Sequence, residues 1–149
     1  MRTPTLLLFS TLVCAAGLLF GQSSPAEAQS KAELQRESDA AYQAAQRLLR
    51  ERKLPEAERE AQRSLELERV AGDRLSLAGR STLLGTICME MDRPAQARDY
   101  FVQALQLHEQ RGNRGDMANA LFNLGIFYLR WRQFEAADKA TLAAIELYT

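Results

Sequence analysis

The sequence repeats itself with a period of forty residues, and this repeat constrains the fold more than any other feature. Small and apolar residues dominate the positions that match between residues 72–107 and residues 112–147. The matched pairs are Gly72 and Gly112, Arg74 and Arg114, Ala78 and Ala118, Leu84-Gly85 and Leu124-Gly125, Ala97 and Ala137, Ala104 and Ala144, and Leu107 and Leu147. A weaker third copy lies one shift earlier, with Ala57, Leu65 and Leu67 at the equivalent positions. A period of this length indicates a stack of supersecondary units.

Each copy of the repeat contains two segments in which apolar residues recur at steps of three and four, as in Leu121, Leu124 and Tyr128. This spacing predicts two amphipathic helices per repeat. Proline and glycine breaks divide the chain into six predicted helices over residues 31–52, 55–70, 74–91, 94–111, 116–131 and 134–147. Pro55 and Pro94 suit a first helical turn, and we expect Asp92 to cap the helix that follows it. No segment alternates with a period of two for long enough to predict a strand, so the predicted fold is all-α.

Residues 1–28 have the layout of a secretory signal peptide. Arg2 precedes an apolar run from Leu6 to Phe20, and the small residues of Ala26-Glu27-Ala28 follow as a cleavage site. We expect cleavage after Ala28 and export of a bacterial protein to the periplasm or the medium. The apolar run is shorter than the roughly twenty residues of a membrane span. Contact with a membrane is expected only in the alternative case of an uncleaved anchor.

The spacing of the repeat resembles that of the tetratricopeptide repeat, in its longer-period variant. The third copy carries the family pattern at Leu121, Leu124-Gly125, Tyr128, Ala137 and Ala144, and the second copy at Leu84-Gly85, Cys88, Ala97, Phe101 and Ala104. Cys88 replaces the family's tyrosine, Thr141 replaces an aromatic residue, and Ala44-Ala45 replace Leu-Gly.

The resemblance implies a right-handed α-solenoid of three helix hairpins, at residues 38–71, 78–111 and 118–149, with residues 29–37 extending the first helix. The positions implied to pack the repeats are Leu84, Gly85, Ala97, Ala104, Leu124, Gly125, Tyr128, Ala137 and Ala144. The first helix of each hairpin would line a concave groove. The residues implied to face this groove are Tyr42, Gln46, Arg50, Thr82, Thr86, Met89, Asn119, Phe122, Asn123, Ile126 and Arg130.

This mixture of aromatic, amide and charged side chains is typical of a peptide-binding groove. We expect Phe122 and Tyr42 to anchor a ligand, and Asn123 to hydrogen-bond with an extended peptide backbone. The lysine and asparagine pattern of tetratricopeptide repeats that bind a terminal carboxylate is not visible, so such a ligand is not expected.

Catalysis is not expected from the remaining residues. The single histidine, His108, and Cys88 lie twenty residues apart and form neither a nucleophile–base pair nor a metal site. We expect a surface role for His108, a packing role for Cys88 and a solvated face for the glutamate- and arginine-rich segment 56–69. The 19 basic and 19 acidic residues give zero net charge, which offers no reason to expect nucleic acid as a partner.

The leading interpretation is therefore a non-enzymatic scaffold, without metal or cofactor, that binds a peptide or protein segment in its groove. Two alternatives stay open. Leu142, Ile145 and Tyr148 are expected to be partly exposed on the last helix, which indicates self-association into a homo-oligomer through that helix. The same feature is expected if the chain is the N-terminal part of a longer multidomain protein, for example one with a protease-like domain.

Overall fold

The computed structural model describes residues 25–148, and this part of the chain forms six α-helices and no strand. The helices are α1 (Pro25–Arg50), α2 (Leu54–Ala71), α3 (Arg74–Glu90), α4 (Pro94–Glu109), α5 (Arg114–Arg130) and α6 (Phe134–Tyr148). The predicted all-α fold is confirmed, and every helix end except the start of α1 lies within two residues of the prediction. Residues 29–37 lie within α1. The predicted signal peptide lies almost entirely in residues 1–24, outside the described residues.

The helices pack as three hairpins, α1 with α2, α3 with α4, and α5 with α6. Helix α2 then packs against α3, and α4 against α5, so the hairpins stack in chain order as a solenoid. Each interface between hairpins contains a cluster of buried apolar side chains. The first cluster contains Ala45, Ala57, Ala61, Leu65, Leu83, Leu84 and Ile87, and the second contains Cys88, Ala97, Phe101, Leu124, Phe127 and Ala140.

The positions implied to pack the repeats lie inside the stack, apart from one that is half-buried. The buried positions are Leu84, Gly85, Ala97, Ala104, Leu124, Gly125, Ala137 and Ala144. Tyr128 is half-buried beside the second cluster. Cys88 is buried in that cluster, and burial raises the pKa of its thiol to about 11. The thiol is therefore neutral at pH 7, and the packing role expected for Cys88 is confirmed.

A buried ion pair joins the first two hairpins. Glu68 on α2 is fully buried, and its Oε2 lies 3.3 Å from Arg80 Nη2 on α3. The same oxygen accepts hydrogen bonds from Ser38 Oγ at 2.8 Å and from Gln35 Nε2 at 2.9 Å. Arg80 also pairs with Asp39 on α1. We call this group, together with Ser64, which bonds to Ser38, the Glu68 cluster.

The Glu68 cluster corrects one expectation from the sequence. Segment 56–69 was expected to form a solvated face, but its Glu68 is turned inward and meets α1 and α3. A carboxylate is costly to bury unless a charge and hydrogen bonds compensate it, and the cluster supplies both at Oε2, while Oε1 has no hydrogen-bond partner among the described residues. Its bonds therefore hold α1, α2 and α3 in one arrangement.

The turn within each hairpin has the same backbone form three times. Arg52, Asp92 and Arg132 adopt left-handed φ values of 62°, 57° and 57° at forty-residue intervals. In the first turn, Lys53 N–H donates to the Leu48 carbonyl and Arg52 N–H to the Leu49 carbonyl, which is the Schellman pattern. Asp92 thus ends α3 in the left-handed conformation, and the expectation that it caps α4 is wrong, because Arg93 occupies the cap position and makes no side-chain cap bond.

Replacing Arg132 by glycine should raise the free energy of unfolding, by up to about 1 kcal/mol, because a Cβ penalises the left-handed conformation. Chemical unfolding monitored by circular dichroism measures this change. Arg132→Ala is the matched control, since it removes the same exposed side chain but keeps the Cβ. If the two variants are equally stable, the left-handed turn is not a source of strain.

Gly85 and Gly125 lie at close contacts between the two helices of a hairpin. A Cβ on Gly85 would lie 2.8 Å from the Phe101 ring, and one on Gly125 would lie 2.9 Å from Thr141 Oγ1. The nearest facing side chains are therefore those of Phe101 and Thr141, and the Ala137 carbonyl oxygen lies 3.8 Å from the Cβ position of Gly125. The glycines leave space for these two side chains.

Alanine at these two glycines should have unequal effects, although both substitutions improve helix propensity by about 0.5–1 kcal/mol. Gly85→Ala should destabilise the protein by roughly 1–3 kcal/mol, because the buried Phe101 ring has no room to move. Gly125→Ala should be close to neutral, because the Thr141 hydroxyl can rotate away. Thermal and urea unfolding of the two variants test this order, and a Gly125→Ala variant that is the less stable of the two would contradict it.

Candidate binding groove

A cavity of about 360 Å³ opens between the first helices of the three hairpins. We call it the α3–α5 cavity, because most of its walls come from these two helices. Its lining residues are Tyr42 on α1, Gly79, Thr82, Leu83 and Thr86 on α3, His108 on α4, and Asp116, Asn119, Ala120 and Asn123 on α5. Ligand pockets in proteins measure about 300–1,000 Å³, so this volume suits a small group such as one side chain of a partner.

The forty-residue repeat explains why the cavity lies at the second interface between hairpins and not at the first. His108 and Ala120 occupy the positions that Glu68 and Arg80 occupy one repeat earlier, and Gly79 corresponds to Asp39. At the first interface these positions carry the buried ion pair and its partner carboxylate. Glycine and alanine at the second interface leave the corresponding space open.

His108 is less exposed than a surface residue, with 13% of its side chain accessible. Its Nδ1 is buried without a hydrogen-bond partner among the described residues and lies 3.8 Å from Asp116 Oδ2. Burial lowers the pKa of His108 below 6.5, an effect that the nearby Asp116 carboxylate opposes and the Arg111 guanidinium reinforces. The imidazole is therefore largely neutral at pH 7, and the expectation of an ordinary surface role for His108 is wrong.

The polar groups in the α3–α5 cavity are partly committed to bonds inside the protein. The Thr82 hydroxyl donates to the Ala78 carbonyl, and the Thr86 hydroxyl to the Thr82 carbonyl, each at 3.0 Å. Asn119 Oδ1 accepts a bond of 2.6 Å from the Tyr148 hydroxyl. Each threonine oxygen can still accept a hydrogen bond, and Asn119 can still donate through its amide nitrogen.

Five of the residues expected in the groove line this cavity, and six do not. The five are Tyr42, Thr82, Thr86, Asn119 and Asn123. Of the other six, Phe122 and Ile126 are 54% and 41% exposed on α5. Met89 is half-buried and packs against the second core cluster, which leaves it little surface to offer a ligand.

The three other expected groove residues lie on α1 and α5. Gln46 is half-buried and Arg50 is exposed, both on α1. Arg130 is exposed, and its Nη1 lies 2.9 Å from Glu90 Oε1. Glu90 also binds Arg52 at 2.6 Å, and these bonds from Arg52 and Arg130 lower the pKa of its carboxyl. Arg130 therefore takes part in an ion bridge between hairpins.

The sequence pattern did not single out His108, Asp116 or Ala120 as groove residues. They enter the cavity because α4 packs against α5, and no periodicity within a single helix reports that contact. The forty-residue shift relates His108 to Glu68, but the sequence predicted burial of neither residue, so it carried no signal for this contact.

Two searches of the described residues were negative. None of their helices is long and apolar enough to cross a membrane. The same residues contain no group of three or more histidine, cysteine, aspartate or glutamate side chains placed to hold a metal ion.

Comparison with known proteins supports the repeat assignment. Residues 78–149 match the model of the tetratricopeptide repeat family. The crystal structure of the TPR domain of Arabidopsis FLU superposes with a TM-score of 0.70 at 18% sequence identity, covering 76% of this chain and 95% of that domain. This similarity shows a shared fold. A search of curated proteins finds no match.

The free energy of unfolding should fall between about pH 7.5 and pH 5.5, because the pKa of His108 is lower in the folded protein than in the unfolded chain. The unfolded chain then binds more protons, so the stabilisation by neutral His108 is complete above its ordinary pKa and is lost as the pH falls below it. Urea unfolding at several pH values measures this change. The control His108→Gln should weaken the dependence of the free energy of unfolding on pH in this range. If the slope is the same as in wild type, groups other than His108 cause the change in stability.

Proposed function

We propose that this chain is a non-enzymatic tetratricopeptide-repeat scaffold that binds a segment of a partner protein along α1, α3 and α5. Domains of this repeat generally act as protein–protein interaction modules, and the fold and the family match at residues 78–149 support that role here. The observation that carries the proposal is the α3–α5 cavity, which places polar groups from three hairpins around one opening. The exposed Phe122 and Ile126 add apolar surface on α5.

We further propose that the scaffold acts outside the bacterial cytoplasm, in the periplasm or the medium. The support is the N-terminal sequence, in which a basic residue, an apolar run and small residues follow one another in the order of a signal peptide. The zero net charge of the sequence is compatible with this location.

The outer face of α6 favours a second candidate function, assembly. Leu142, Ile145 and Tyr148 are 60%, 53% and 63% exposed. Val102 and Leu105, the repeat equivalents of Leu142 and Ile145, are half-buried against the second core cluster. The face of α6 would therefore accept a further hairpin, either from a second copy or from a longer form of the chain. Light scattering of the protein at tens of micromolar measures self-association, and a monomer at that concentration would argue against assembly through α6.

Peptide display on the immobilised protein tests binding by the groove. We expect enriched peptides to bind wild type at least tenfold more tightly than the variant Phe122→Ala/Asn123→Ala, a difference of about 1.4 kcal/mol that is typical of losing one strong contact. Fluorescence anisotropy with labelled peptides measures the two affinities.

The matched control is Val70→Ala/Gln106→Ala. It also removes one apolar and one amide side chain, but from exposed positions on α2 and α4. This control should bind like wild type. Enriched peptides that bind both double variants equally would show that the groove is not the binding surface.

A further inference from the structure

We propose that the α3–α5 cavity takes a cationic side chain, arginine or lysine, of the partner segment. This inference rests on the proposed function, since it names the group that the groove would select. The argument has three parts: the charge of the cavity wall, the direction of its hydrogen bonds and its size.

The charge of the cavity wall is negative at neutral pH. Asp116 is the lining residue that carries a full charge, because burial favours neutral His108. No described lysine or arginine pairs with the Asp116 carboxylate. The exposed Arg111 is the nearby cation that acts on His108, and its effect there is smaller than that of Asp116.

The neighbouring Glu68 cluster does not reverse this charge. Arg80 stacks on the Tyr42 ring, 4.7 Å from its centroid, and Tyr42 forms part of the cavity wall. Two carboxylates, Asp39 and Glu68, pair with this single guanidinium. The cluster therefore adds no positive charge to the wall.

The hydrogen bonds around the cavity favour a ligand that donates. The Thr82 and Thr86 hydroxyl protons are bound to helix carbonyls, so these two oxygens are left as acceptors. Asp116 is an acceptor in its ionised form, and Asn123 can present its carbonyl oxygen. An anionic ligand would face the Asp116 carboxylate, although the Asn119 and Asn123 amides, the Tyr42 hydroxyl and the neutral His108 could donate to it. A guanidinium or an ammonium group matches this wall, because it donates several hydrogen bonds and accepts none.

The size of the cavity suits one long side chain. At about 30 Å³ for each water molecule, its 360 Å³ correspond to about a dozen waters. A lysine or arginine side chain with a few retained waters fits this space, whereas a folded segment of chain does not.

Small probes can test the cavity without knowledge of the partner. N-acetyl-arginine methylamide and N-acetyl-lysine methylamide would be titrated into isotope-labelled protein, with the amide signals of Asp116, Asn119 and Asn123 followed by NMR. N-acetyl-citrulline methylamide is the matched neutral probe, since it has nearly the shape of arginine without its charge. We expect at least one cationic probe to shift these signals and to bind at least tenfold more tightly than citrulline. Equal shifts with citrulline, or no shift with either cation, would overturn the inference.

Asp116→Asn should reduce binding of the cationic probe at least tenfold. Asp99→Asn is the control, because it removes the same charge from an exposed position on α4, outside the cavity. Unchanged binding by Asp116→Asn would also overturn the inference. If Asp116→Asn does not fold, the affinities of the charged and neutral probes for the wild-type protein still test whether the cavity selects a cation.

Peptide display separates this inference from the proposed function. Enriched groove-binding peptides that need no basic residue would support the groove and reject the cationic pocket. Binding of the arginine or lysine probe without any enriched peptide would support the pocket and reject the peptide-binding groove. Peptides that lose binding when one basic residue is replaced by citrulline or norleucine would support both.

Discussion

A helix hairpin can bury only one of its sides within itself, and this limit governs the whole structure. The second side of each hairpin must be covered by the next one, so the strongest constraints fall on the surfaces where α2 meets α3 and α4 meets α5. Both core clusters include residues from these contacts. The repeated Leu-Gly step serves the other surface, because Gly85 and Gly125 let the helices of one hairpin approach each other closely. Packing within the second and third hairpins therefore uses a glycine at a fixed spacing, whereas packing along the stack uses the large apolar side chains of the two core clusters.

The two interfaces between hairpins meet this requirement with different chemistry. At the first, Glu68 and Arg80 form a buried ion pair, and hydrogen bonds from Ser38 and Gln35 to Glu68 Oε2 offset part of its desolvation cost, while Glu68 Oε1 has no hydrogen-bond partner among the described residues. Removing either Glu68 or Arg80 would leave the other charge buried without its partner. The pair therefore favours one arrangement of α1, α2 and α3 over others more than it increases the free energy of unfolding. At the second interface His108 and Ala120 stand at the same positions, and the space stays open. The cavity thus lies where the repeat gives up side-chain volume without losing the apolar contacts that hold the stack.

The sequence alone was sufficient for most of the fold and for about half of the cavity wall. Helix periodicity and the forty-residue spacing predict six helices, because both depend on contacts that recur within each unit. The positions of Tyr42, Thr82 and Asn123 in the groove were implied by the resemblance to the tetratricopeptide repeat, which assigns the first helix of each hairpin to the concave face. The positions of Glu68, His108 and Asp116 at the interfaces were not predicted. Their burial depends on which hairpin packs against them and on the size of the residues that it presents. Asp92 shows the same limit locally: a residue suited to cap a helix instead ends the preceding one, because the turn needs a left-handed residue there.

The cavity is also organised before any ligand arrives, which bears on its selectivity. Thr82 and Thr86 are held by bonds to their own helix, and Asn119 is held by Tyr148, so a ligand need not order these side chains. The ion bridge through Glu90 links Arg52 on the first turn with Arg130 on α5, but both arginines are exposed, and such bridges contribute little to stability. With the two threonine hydroxyls and the Asn119 side chain fixed in direction, the proposed cationic pocket would discriminate between ligands of similar size mainly through the charge of Asp116.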